Sequence, residues 1–156
     1  MKLSLSQTDE EILTALCRER GELAPYRVFE RALAERSKAG EGRMSIEDAL
    51  RTIAARAQGD EGRQKALFAL DTVKTMRDRL RRWRELMTNP VAEERRLRAM
   101  SAQDLLTYLE NSVSKAHYAA GESFGGFYCS QALQTESATT EQRLARAEFL
   151  RRSGRS

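Results

Sequence analysis

Residues 66–87 read ALFALDTVKTMRDRLRRWRELM, and their apolar positions recur in a three-four rhythm. Ala66, Ala69, Val73, Met76, Leu80, Trp83 and Met87 fill the a and d positions of three heptads. One stripe of a long helix must therefore be covered, by other helices of the same chain or by a second chain. An intramolecular bundle is the simpler cover, because helix stability comes mostly from packing an apolar face. The helical stretch begins at Asp60 and ends near Thr88, because Asn89-Pro90 cannot continue it. No segment alternates with the two-residue period of a strand, so the fold class expected is all-α.

Punctuation on either side of this helix extends the pattern. Thr8-Asp9-Glu10-Glu11 fits a capping box, followed by Ile12, Leu13, Leu16 and Cys17 at helical spacing. A second helix is expected from Pro25, with Tyr26, Phe29 and Leu33 on one stripe, ending towards residues 40–42. Ser45 and Asp48 cap a third, which carries Ile46, Ala49, Leu50 and Ile53 and closes at Gly59. Beyond the long helix, Asn89-Pro90 opens a short one to Met100, and Ser101 caps the next, with Leu105, Tyr108, Leu109, Val113 and Ala116 on one face. The glycines at 121, 125 and 126 suggest a buried bend or a kinked helix, residues 135–139 a polar loop, and Thr139 the cap of a last helix carrying Leu144, Ala147 and Leu150. The expected product is a compact single-domain bundle of six or seven helices over residues 1–150. Residues 151–156 form a flexible basic tail, and one long basic helix spans about 60–88.

Composition narrows the class further. The 156 residues carry 27 Lys or Arg, 23 Asp or Glu, one His and two Cys. Two cysteines so far apart cannot make a disulfide scaffold and suit a reducing compartment, so the expected location is cytoplasmic. No run approaches the roughly 18 apolar residues of a membrane span. The N-terminus turns acidic before a secretory apolar core develops.

Charge is concentrated in the middle of the chain. Residues 63–98 hold 11 basic and 5 acidic side chains, a net of +6 against +4 for the whole chain. The positions beside the heptad seam are Leu70, Arg77 and Arg84 on one side and Lys65, Thr72, Arg79 and Leu86 on the other, and every charge there is positive. Parallel self-pairing would oppose these cations and is disfavoured. Asp71 and Lys74, and Asp78 with Arg81 and Arg82, lie at spacings that let them compensate one another. Arg77, Arg79 and Arg84 have weaker local compensation. A smaller excess lies at the end, where residues 143–156 hold five Arg against Glu148.

Catalytic and metal chemistry find little support. Gly121-Glu122-Ser123-Phe124-Gly125 matches the G-x-S-x-G pattern, but a nucleophile elbow needs a preceding strand and a later histidine. The single histidine, His117, comes before it. His117 and Cys129 have no pattern bringing them together, and two remote cysteines with one histidine make no zinc site. A helix-turn-helix over residues 8–38 would place Arg20, Glu22, Arg27 and Glu30 where apolar side chains belong. No cofactor and no small-molecule substrate is expected.

The functional expectation is a non-enzymatic binding protein whose basic helical surface docks on an acidic macromolecule, nucleic acid first and an acidic protein second. Arg77, Arg79, Arg81, Arg84, Arg95 and Arg98 are the contact residues expected, since guanidinium forks match phosphate and carboxylate oxygens in pairs. That reading requires the arginines beside the seam to lack anions of their own molecule. The alternative is a protein–protein adaptor, inhibitor or homo-oligomer acting through an apolar surface. It would use the Met76, Leu80, Trp83 and Met87 edge or the segment with Phe124, Phe127 and Tyr128.

Overall fold

The computed structural model describes residues 3–18, 24–40, 42–121 and 131–154, with backbone alone at 24–26 and 118–121. Seven α-helices and no strand occur among the described residues: α1 Asp9–Arg18, α2 Ala24–Ala39, α3 Ile46–Arg56, α4 Asp60–Thr88, α5 Pro90–Arg98, α6 Ala102–Gly121 and α7 Gln131–Arg152. The class is all-α, as the periodicity implied.

Local chemistry sets most helix ends. At α1 the capping box is reciprocal: Glu11 N–H donates to Thr8 Oγ1 at 3.2 Å, and Thr8 N–H donates to Glu11 Oε2 at 3.0 Å. Ser45 Oγ accepts from Asp48 N–H at 3.1 Å, while Met44 packs on the core just before it. Gly40, with φ of 92°, supplies the left-handed residue that follows α2. Asn89 serves two helices at once. Its backbone N–H donates to Glu85 O at the end of α4, and its side chain accepts from Ala92 N–H in the first turn of α5. Ser101 Oγ caps α6 by accepting from Asp104 N–H.

Two apolar clusters form the interior. The larger joins Ile12, Leu13 and Leu16 of α1, Val28 and Phe29 of α2, Leu50 and Ile53 of α3, the α4 seam from Ala66 to Trp83, and Leu133 of α7. The small seam residues Ala66 and Ala69 let α3 pack closely along α4. The smaller cluster holds Leu86 from the end of α4, Leu97 of α5, Leu105 of α6, and Leu144 and Ala145 of α7. Contacts follow this division: α1, α2 and α3 pack on α4, whereas α5 and α6 pack on α7, which itself returns to α4.

The structure departs from the periodic reading in three places. Leu86, assigned to a flank, is buried, while Met87, assigned to the seam, is half-buried. Leu86 is the α4 member of the smaller cluster, packed with Leu97, Leu105 and Leu144, so near its end α4 is covered on a second side that the single seam did not include. The second difference is that residues 135–139 are helical, within one continuous α7. Thr139 Oγ1 does not cap a new helix but donates to Thr135 O at 2.9 Å, one turn back along the same helix. Burial of Ser137, Ala138 and Thr140 outweighs the weak helix propensity of a Ser/Thr-rich run. The helix then continues through Arg152, past the end expected at Leu150, and Arg152 donates to Leu97 O in α5 at 3.0 Å and to Met100 O just past it at 2.7 Å. Third, Val113 is about half exposed rather than turned inward with Leu105. The expected bend at residues 121–133 lies largely outside the described residues.

Candidate functional site

The arginines of α4 divide by which way they face. Arg77 forks onto Glu47 of α3, with Nε to Oε2 at 2.6 Å and Nη2 to Oε1 at 2.8 Å, and Nη2 also reaches Glu10 Oε1 of α1 at 2.6 Å. Its hydrogen bond to Glu47 outweighs burial and raises its pKa above the ordinary arginine value. Burial pushes the Glu47 carboxyl up, but the Arg77 hydrogen bond, a backbone hydrogen bond and the charges of Arg77 and Arg51 together override it, and the net shift is downward. Arg84 donates to Asp9 Oδ1 at 2.5 Å and to the carbonyls of Gln7 and Leu5, and its guanidinium lies 5.9 Å from the Trp83 ring centre. Arg79 is half-buried and also has a partner.

Arg82 sits in a charged layer between the two apolar clusters. It reaches Glu93 of α5 at 2.9 Å and Glu141 of α7 at 2.7 Å. Glu93 also accepts from Arg96 and from the Tyr108 hydroxyl, and Glu141 accepts from Lys115 of α6 at 2.7 Å. Burial alone would push the Glu93 carboxyl up; hydrogen bonds from Arg82 and Arg96 override it and hold the pKa at about 2. Burial, then the nearby Glu93 and Glu141 charges, pushes the Tyr108 hydroxyl well above its ordinary value. Each charged group in this layer is answered by an opposite one, which marks it as a structural connection.

What α4 shows to solvent is correspondingly balanced. Asp71, Lys74, Asp78, Arg81 and Glu85 alternate in sign along its exposed stripe, and Arg81 pairs with Asp78 at 3.2 Å. The expectation that Arg77 and Arg84 stand ready for an outside ligand is therefore corrected. Helices α1 and α3 present carboxylates to them, a tertiary arrangement that no spacing along α4 could reveal. The apolar edge expected as an alternative interface is corrected too. Met76 and Leu80 are fully buried, Trp83 is buried with its indole N–H donating to Glu136 Oε2 at 2.7 Å, and Met87 packs half-buried against the larger cluster. Phe124, Phe127 and Tyr128 lie outside the described residues.

Arg95 and Arg98 of α5 behave differently. Both are exposed, and neither guanidinium has a hydrogen bond or ion pair with another described residue, although the Arg98 carbonyl accepts from Arg152 at 3.5 Å. The same holds for Arg143 and Arg146 of α7, which the sequence reading counted in the C-terminal basic excess but did not single out. The two helices are neighbours, separated by a shallow groove of about 180 Å³ lined by Glu94, Leu97 and Arg98 on one wall and Leu144, Ala147, Glu148 and Arg151 on the other. Helical spacing places Arg95 beside Arg98 on the outer wall of α5. It places Arg143 one turn before Ala147, with Arg146 further round the outer face of α7. Arg151, half exposed, adds a cation already held by Glu148 at 2.6 Å.

Little else among the described residues suggests chemistry. No group of three or more His, Cys, Asp or Glu could hold a metal ion, His117 is exposed on α6, and Cys17 is buried in the larger cluster. No helix among them is long and apolar enough to cross a membrane. Compared with known proteins, the chain matches no family model, no curated protein and no solved structure.

Proposed function

We propose that this protein works by binding, docking the outer face of α5 and α7 onto an acidic macromolecule in the cytoplasm, with nucleic acid the first candidate. The observation that carries the reading is the set of four exposed guanidinium groups, Arg95, Arg98, Arg143 and Arg146, none of which forms an ion pair with a described residue. A cluster of uncompensated arginines raises the local anion concentration and supplies the forked donors that phosphate and carboxylate accept. Arg77, Arg82 and Arg84 of α4 take no part, their charge being spent on α1, α3, α5 and α7, and Arg81 is paired with Asp78 on its own helix.

The test is fluorescence anisotropy with labelled DNA, RNA and an acidic polypeptide at about 50 mM salt, where electrostatic binding is strongest. The wild-type chain binds at least one of these polymers. Combined Arg95→Glu, Arg98→Glu, Arg143→Glu and Arg146→Glu substitution lowers affinity at least tenfold, whereas Arg81→Glu on α4 leaves it within about twofold. Absence of binding to all three polymers overturns the reading, and so does a quadruple variant that binds as tightly as wild type.

A further inference from the structure

We propose that the outer face of α6 pairs with the same face of a second copy of the chain, the two helices running antiparallel about a two-fold axis. Leu106 and Val113 are 40% and 49% exposed. With Ala102, Leu109 and Ala116 they recur at steps of four and three residues, the period of a helix-pairing seam. This stripe lies beside the face that α6 turns inward through Leu105 and Ser112, and α6 packs mainly on a single neighbour, α7. Charge is scarce there as well. Of the ten exposed residues from Ala102 to His117, only Asp104 and Glu110 are charged, against nine of fourteen along α4. Where this chain meets water it is dense in charge, so a neutral apolar stripe marks a contact surface.

Order and charge together select the occupant. Ala102, Leu106, Leu109, Val113 and Ala116 read nearly the same in reverse, small at both ends and larger between. A patch shared by both members of a two-fold pair must match its own reverse. This one does: Leu109 meets Leu109 at the axis, and Leu106 meets Val113 on either side of it. A stripe without charge offers nothing to an acidic or a basic partner, but it suits an identical neutral one. Charge also sets the direction. Arg95, Arg96 and Arg98 of α5 stand just before the start of α6. Parallel pairing gathers these arginines from both copies at one end. Antiparallel pairing parts them by about 21 Å, the span of the stripe at about 1.5 Å per residue, well beyond the screening length of about 8 Å. One helical stripe covers less than a standard interface, so the pair is weak.

The test is sedimentation velocity of the full chain at about 100 µM with no polymer added, a concentration suited to a weak interface. The wild-type chain sediments as a dimer and stays one at about 1 M salt, where binding to a polyanion is lost. Leu106→Glu and Val113→Lys each weaken the dimer at least tenfold. Their helical circular dichroism is unchanged, because both positions are exposed. Mixed in equal amounts, the two variants pair again, since antiparallel packing sets the introduced carboxylate against the introduced amine. A monomeric wild-type chain overturns the inference, and so does a dimer that both single variants retain. A mixture that stays monomeric overturns the antiparallel arrangement. Polymer binding is read separately by anisotropy, so loss of the dimer leaves the proposed binding role standing.

Discussion

Arg77 and Arg95 are the same residue on two basic helices of one chain, yet the fold uses them in opposite ways. Arg77 faces a groove where α1 and α3 present Glu10 and Glu47, and its charge is consumed in joining three helices. Arg95 lies on the outer wall of a nine-residue helix and meets no described anion. The contrast teaches that a basic helix is a statement about composition, whereas a basic surface depends on which carboxylates the other helices bring to it. By that criterion the most arginine-rich stretch of the chain is an internal brace, and the shorter neighbouring helices carry the exposed charge.

The sharpest way to break the contrast is Arg82→Ala. It leaves Glu93 with Arg96 and the Tyr108 hydroxyl and Glu141 with Lys115, but removes the charge-assisted hydrogen bonds that join the two, at about 1.5 kcal/mol each or about 3 kcal/mol together. Urea denaturation followed by Trp83 fluorescence and by helical circular dichroism measures the loss; a change under about 0.5 kcal/mol would place Arg82 with the dispensable surface arginines. Arg77→Ala comes next, at about 2 kcal/mol, because Glu47 is left with little solvent to replace the fork. Binding to the partner stays within about twofold in this variant, so stability and binding separate.

Acid sharpens the same comparison. Glu93 titrates at about 2 in the folded chain, below the ordinary carboxylate value of about 4.3, and Glu47 is shifted in the same direction. Depressed carboxylates contribute stability above their unfolded pKa and lose it as pH falls through the folded one. The midpoint of thermal unfolding therefore drops between about pH 4.5 and pH 2, and Glu93→Gln flattens that part of the profile. An unchanged profile in this variant would show that the layer adds no pH-dependent stability. Ser45→Ala, which removes the α3 cap, costs about 1 kcal/mol in the same denaturation experiment. The smallest effect belongs to Arg95→Ala, within about 0.5 kcal/mol of wild type, because no described contact is lost.

Helix boundaries were the most legible part of the fold. Thr8, Ser45, Asn89 and Ser101 each act on a backbone group three residues away, so their roles are written in local order. Residues 135–139 were misread for the converse reason: a Ser/Thr-rich run has loop-like local preferences, and only burial against α4 and α6 holds it helical. Of the expected contact arginines, Arg95 and Arg98 stand exposed, Arg81 is exposed but paired, and Arg77 and Arg84 are bound at home. Arg143 and Arg146 had a signal, the C-terminal basic excess, which the larger excess around α4 overshadowed.

By itself, then, the order of residues determined an all-helical chain, the span of its long helix and the identity of most caps, because periodicity and capping act within a turn or two. Which arginines face water was settled only by tertiary structure. Glu10, Glu47, Glu93 and Glu141 lie 11 to 67 residues from the guanidinium groups they neutralise, and helix packing alone brings them within hydrogen-bond reach.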